Sequence, residues 1–236
     1  MPISLMLENS FEKIKARVVL KLKDLDPRLA YHDIAHTLDV VKQVEHIARQ
    51  EGVTDERIIY LLRLAALYHD TGFLYCYQGH EEEGCRIFRE DAKDYDVSEN
   101  EIQFIEKLIM ATLLSNTPHN HYEEMIRDAD LDYLGRKDFE AISNRLRHEW
   151  LVFEIVGSQK EWESKQLSFL RKHHYYTRSS VDRREAVKAG EHTSTRQLYW
   201  VIFFFISTVI LSCSLNLRHN VRMMPFRISV LTATTS

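Results

Sequence analysis

Three observations predict an all-α protein. Gly and Pro are scarce, 7 and 4 in 236 residues, whereas an all-β chain needs a tight turn every few residues. Apolar residues recur at helical spacing through most of the chain, and no stretch alternates apolar with polar. Hydrophobic residues make up 44% of the sequence, enough to build a core and an argument against global disorder. The length suits one substantial domain plus an appendage, or two small domains.

Phe11, Ile14, Val18, Leu22 and Leu25 share one helical face, and Asp26-Pro27 ends that helix. Val40, Val41, Val44, Ile47 and Ala48 form the stripe of a second helix, closed by Gly52. The run Ile58 to Leu67 is apolar nearly all round, as a central buried helix is. Ser98 with Glu101 is a capping box ahead of Ile102, Ile105, Leu108 and Ile109. Two amphipathic stretches follow Asp138 and Gln159, and there is no internal repeat. These elements place a compact helical domain over residues 1–178.

The character changes beyond that point. Residues 179–197 read as a polar linker, and 198–215 carry no charge: LYWVIFFFISTVILSCSL. Eighteen residues lie at the lower edge of what spans a bilayer, roughly 17–25. Tyr199 and Trp200 sit at one end, where amphipathic aromatics favour the membrane interface. Three readings stand for this apolar C-terminal helix: a single membrane span, a tail packed on the domain or a partner, or a tail foreign to the original gene. If it spans, the five basic residues before it (Arg178, Arg183, Arg184, Lys188, Arg196) against three after it put the N-terminal domain inside.

A net charge of −4 offers no basic surplus for nucleic acid. Cys76, Cys85 and Cys213 form no CxxC pair and read as reduced thiols. No apolar signal core opens the chain, so the domain is expected to face the cytoplasm.

Twelve histidines carry most of the chemical information. His32 and His36 in YHDIAHT are four apart, so on a continuous helix both face one way. His69-Asp70 ends the buried helix, where the chain leaves helical geometry and both side chains can reach one point. Asp128, Asp130 and Asp132 fall within five residues of an otherwise apolar helix. Neutral imidazoles and carboxylates converging from several elements are what a divalent ion needs. Singly, each has a plainer reading: a surface dipeptide, a capping histidine, a solvated acidic face.

As an ordered set, His36, then His69-Asp70, then Asp130 resembles the H…HD…D signature of the HD superfamily of phosphohydrolases. YHDIAHTLDVV, LAALYHDTGF, GHEEEG and IRDADLDYLG extend the resemblance over about residues 28–178. It implies an all-α fold and one divalent ion held by His36, His69, Asp70 and Asp130. It also implies hydrolysis of phosphate esters, mainly of nucleotides, by a metal-activated water. Asp70 would also orient that water, and Asp128 would support the ligands from behind or replace one. Imidazole with carboxylate suits Mn, Fe, Ni, Co or Zn, with Mg less favoured.

His80 is a candidate catalytic or phosphate-contacting residue, or a ligand to a second ion; its plainer reading is a residue opening a helix. His32, His119 and His121 are further candidates for substrate contact. Where cyclic-dinucleotide members have His-Asp-x-Gly-Lys, this chain has HDTGF, with Phe73 in the lysine position, and one ion is therefore expected. Trp150, Trp162 and Phe169 at helical spacing read as core. Parts of the later helices resemble a bacterial subgroup joined to membrane segments or cyclic-nucleotide signalling. Two functions follow: a metal-dependent hydrolase of a small nucleotide-type mono- or diester, or a membrane-tethered nucleotide sensor with little turnover.

Overall fold

The computed structural model describes residues 2–190. The chain divides into two units, Met1–His192 and Thr193–Ser236; the apolar stretch 198–215 belongs to the second and lies outside the described residues. Among the described residues there is no strand, and no helix is long and apolar enough to cross a membrane.

Helices α1 (Ile3–Lys21), α2 (Ile34–Gln50) and α3 (Glu56–Tyr68) come first. A short 3-10 turn, Thr71–Leu74, leads to α4 (His80–Asp91), α5 (Glu99–Met110) and α6 (His121–Asp130). After a second such turn, Asp132–Gly135, come α7 (Phe139–Val152) and α8 (Gln159–Lys172). A last helix, α9, starts at Arg178–Ser180 and passes through a π-helical turn at Val181–Glu185.

The sequence explains where these helices start and stop. Asp33 caps α2, its side chain accepting from the His36 N–H at 2.9 Å. At the other end Gly52 takes φ 83°, and Val53 N–H closes onto the Ala48 carbonyl at 2.9 Å. This is the left-handed helix stop that glycine makes without steric cost. The predicted capping box at Ser98 is present on α5, and its Glu101 also takes a two-pronged ion pair from Arg57 of α3 at 2.6 and 3.0 Å.

Helix α3 is the centre of the molecule, packed by α1, α2, α5 and α6. Leu62, Leu64, Ala65, Ala66 and Leu67 are fully buried there, and each buried leucine contributes roughly 2 kcal/mol. A helix buried on all sides delivers whatever follows its last turn into the interior. A smaller apolar cluster of Tyr31, Leu131, Tyr133, Leu134, Phe139, Leu170 and Tyr175 joins α7 and α8 to the ends of α2 and α6. Cys76 and Cys85 are free thiols.

Two sequence expectations need correction here. Residues 179–190 are helical rather than a polar linker. Arg184 forks onto the buried Asp132 at 2.9 and 2.8 Å and Arg183 adds one bond at 2.6 Å, so this basic pair is an internal tie. Asp128 is fully buried and accepts from Tyr176 N–H at 3.0 Å, Thr177 N–H at 2.8 Å and the Thr177 hydroxyl at 2.7 Å. It clamps the C-terminal segment and makes no hydrogen bond to an expected ion ligand. Replacing Asp128 by Ala strands those donors and should cost about 3 kcal/mol. Urea unfolding should show the lower midpoint while divalent-ion binding persists; ion binding lost at unchanged stability would return Asp128 to the ion site.

Candidate metal centre

Three elements deliver the four expected ligands. His36 sits in the first turn of α2, fixed by the Asp33 cap. His69 still has helical backbone at the end of α3, whereas Asp70 has left it at φ −103°, ψ 3°. Asp130 is the last residue of α6. The Nε2 atoms of His36 and His69 face each other at 3.3 Å. Asp70 Oδ2 lies 3.2 Å from the first and 3.1 Å from the second, and Asp130 Oδ1 lies at 3.2 and 3.5 Å. His36, His69 and Asp130 form a group able to hold a metal ion, with Asp70 against the same two imidazoles.

The donor chemistry fits a cation. His69 Nδ1–H donates to the Ala66 carbonyl at 2.8 Å, so the ring aims Nε2 into the cluster, where its lone pair would face a cation once that nitrogen has lost its proton. Asp70 Oδ2 is buried and has no hydrogen-bond partner, an arrangement that costs free energy unless something positive meets it.

Electrostatics agree. Burial disfavours charged imidazole, yet Asp130 and Asp70 outweigh it and raise His36 to about 9. His69 is likewise held well above its ordinary value, against burial, by Asp70 and Asp130. Burial raises both acids, but the two imidazoles override it and hold Asp70 and Asp130 below the usual carboxylate range. Without metal, two protons balance two carboxylates. A divalent ion can take their place with no change in net charge.

A cavity of about 250 Å³ opens over Asp70 and Asp130. His32, Phe73 and His80 stand on its wall as a stack, with ring centroids 4.3 Å (His32–Phe73) and 3.9 Å (Phe73–His80) apart. The residue in the lysine position thus stacks on both imidazoles. His80 Nδ1–H donates to the Tyr77 carbonyl at 2.9 Å, and its Nε2 lies 3.7 Å from Asp70 Oδ1. Gly72 permits this closeness, because a Cβ there would fall 1.9 Å from the His80 carbonyl oxygen.

His32 does not share a helix with His36, since α2 begins only at Ile34. Glu149 of α7 holds it instead. That carboxylate is fully buried and accepts from Tyr31 N–H at 2.9 Å, His32 N–H at 3.1 Å, His32 Nδ1 at 2.5 Å and the Tyr77 hydroxyl at 2.8 Å. Burial raises Glu149, but His32 and the backbone donors more than offset it and keep it below the usual range. Glu149 is absent from the sequence-based candidates. Its one signal is an acid on the apolar side of an amphipathic helix, 72 to 118 residues from its partners.

Other expectations fail at this cavity. His119 and His121 do not line it. His121 opens α6 and pairs with Glu124 at 2.8 Å, nine residues and ~13 Å of helix from Asp130. They do not converge with His80, so they complete no second ion site. Trp162 is buried and Phe169 packs on the smaller apolar cluster, as core residues do, and with the half-buried Trp150 they also line the cavity.

The HD domain family model matches residues 33–188, well over half of the chain. The protein therefore belongs to the HD domain family, most of whose members are metal-dependent phosphohydrolases. Comparison with curated proteins and with solved structures gives no match.

The charge state of the cluster predicts that ion binding releases protons. Affinity for Mn²⁺ should rise about tenfold to a hundredfold per pH unit between pH 6 and 8, for one or two protons displaced, and flatten above the His36 value of about 9. Calorimetric titration in two buffers of different ionisation enthalpy measures the release directly. A pH-independent affinity would contradict this charge assignment.

Proposed function

We propose that this HD domain hydrolyses a small phosphate ester of nucleotide type at the cluster of His36, His69, Asp70 and Asp130. The observation that carries the reading is the convergence of four donor side chains from three elements, with a buried Asp70 oxygen left without a hydrogen bond. A bound divalent ion supplies Lewis acidity and brings a water to hydroxide-like reactivity near neutral pH.

The residues divide the remaining work. His36 and His69 offer Nε2 from the interior side. Asp70 presents Oδ2 to both imidazoles, while Oδ1 faces His80, so one carboxylate serves the ion and orients the attacking water. His32 and His80 each have Nδ1 committed, to Glu149 and to the Tyr77 carbonyl. The Nε2 of His32, and that of His80, which lies 3.4 Å from Glu81 Oε1 and 3.7 Å from Asp70 Oδ1, would meet a phosphoryl oxygen or give a proton to the leaving oxygen. The ion and the two histidines together offset the charge on the phosphoryl group.

The test is hydrolysis by the full chain of nucleoside phosphates, cyclic nucleotides and a generic phosphodiester, each with Mg, Mn, Co, Ni or Zn. His69→Ala and Asp70→Ala should each abolish metal-dependent turnover, a loss of a thousandfold or more on the order seen when a main catalytic element is removed, with helicity by circular dichroism unchanged. Turnover retained in Asp70→Ala would sink the assignment. His80→Ala should lower kcat by about a hundredfold while leaving ion affinity within a few-fold; a wild-type rate would remove His80 from the chemistry.

A further inference from the structure

The part of the cavity beyond the ion ligands has a pronounced chemical bias. Tyr77, Leu146, Trp150, Trp162 and Phe169 build its walls. The Trp150 and Trp162 rings meet edge to face at 5.1 Å and 89°, which fixes their orientation. Trp150 is only half-buried, so it presents surface to whatever enters.

Positive charge is nearly absent. Among the lining residues, Lys165 is the one lysine or arginine. It is already engaged, with Nζ at 3.1 Å from both Glu161 and the Ile155 carbonyl. Two nearby arginines are also committed: Arg145 to Ala30 and Asp33, and Arg28 to Asp26. The buried acid Glu81 lines the cavity as well.

This balance bears on how many phosphates can be held. A divalent ion with His32 and His80 can accommodate one phosphoryl group. The second and third phosphates of a polyphosphate bring charge that needs further arginine, lysine or helix N-termini. Here they would meet Glu81 and aromatic rings. A flat apolar group in the same place gains area burial and ring contact. The volume, about 250 Å³, is close to the small end of ligand pockets, roughly 300 Å³, and suits a base or bicyclic ring rather than an oligomer.

We propose that the site selects esters carrying a single phosphoryl group and a flat aromatic moiety, a nucleoside monophosphate or an aryl phosphate, packed against Trp150, and that it discriminates against di- and triphosphates. The inference rests on the hydrolase reading above, which locates the phosphoryl group at the ion.

The experiment compares 1-naphthyl phosphate, glycerol phosphate, and one nucleoside as its mono- and triphosphate, with the full chain and Mn²⁺. Expected is a kcat/KM at least about tenfold higher for 1-naphthyl phosphate than for glycerol phosphate, carried by KM, as base–aromatic stacking gives. The monophosphate should exceed the triphosphate by a similar factor. Trp150→Ala should erase most of the aryl preference and Trp150→Phe should restore it. A triphosphate preferred over its monophosphate, or an aryl preference untouched in Trp150→Ala, overturns the proposal.

Calorimetric binding of phenylphosphonate and methylphosphonate, neither of which can be hydrolysed as an ester, separates the two readings. Phenylphosphonate bound at least about tenfold tighter, dependent on Mn²⁺ and on Trp150, supports the selectivity even if no ester is turned over, in which case only the hydrolase reading falls. Turnover accompanied by equal binding of the two phosphonates overturns the selectivity and leaves the hydrolase.

Discussion

The architecture depends on burying two carboxylates and two imidazoles against one another. Asp70 and Asp130 sit between His36 and His69, with both histidines and Asp70 nearly sealed from water. An isolated carboxylate in such a place carries a desolvation penalty of several kcal/mol. Only a positive partner in fixed geometry offsets it. The fold supplies that geometry by using helix ends, where the chain changes direction and adjacent side chains can be aimed at one point. Asp33 caps α2 and places His36; the buried α3 carries His69 inward and releases Asp70 from helical backbone; α6 stops at Asp130. The apolar rigidity of α3 is therefore a chemical requirement as much as a packing result, since a shift of half a turn would leave charges in the core without partners.

The chain beyond Asp130 adds no candidate ligand yet shapes what surrounds the cluster. Three buried acids organise it, each by gathering several donors from distant sequence. Glu149 holds the segment bearing Tyr31 and His32, Asp128 clamps Tyr176 and Thr177, and Asp132 takes both Arg183 and Arg184. A carboxylate accepting several charge-assisted hydrogen bonds is a strong fastener, and here each spans about fifty to over a hundred residues. The cavity walls from α7 and α8 are thus tied to the same frame that holds the ligands. Glu149 links the α7 wall to the other side of the cavity, because its further contact, the Tyr77 hydroxyl, reaches the segment leading to His80.

What the sequence disclosed follows from what is local. The buried α3, the Gly52 stop, the Ser98–Glu101 box and the ordered ligand set are short patterns whose physics is complete within a few residues. The quartet could be found because adjacency at His69-Asp70 is itself geometric information. Glu149, Asp128 and Asp132 could not be assigned that way. A buried acid and a solvated acid have the same local text, and only the fold brings their donors. The basic run at 183–184 misled for the same reason. His119 and His121 misled in the opposite sense: loop histidines just before the aspartate motif in sequence lie at the far end of α6 from Asp130 in space. Trp150 and Trp162 satisfy the periodicity of core residues, and the period cannot tell a wall packed on protein from a wall facing a cavity.

Phe73 shows how one substitution of residue type can redirect a site without disturbing its ligands. In the lysine position a flexible cation could reach a phosphate. An aromatic ring there cannot, but it can hold two imidazoles by stacking on both. His32 and His80 each stack on Phe73, at 4.3 and 3.9 Å, and lie 6.2 Å from one another by ring centroid. The Nδ1 anchors at Glu149 and at the Tyr77 carbonyl prevent either ring from turning away. Two imidazoles held by Nδ1, that of His80 with its Nε2 3.4 Å from Glu81 and 3.7 Å from Asp70, replace a mobile point charge. The exchange removes a permanent positive charge from a wall that otherwise carries only the engaged Lys165. Low positive charge and high aromatic content in the cavity are therefore one feature, built outward from Phe73 to Tyr77, whose ring packs edge to face on it at 5.1 Å.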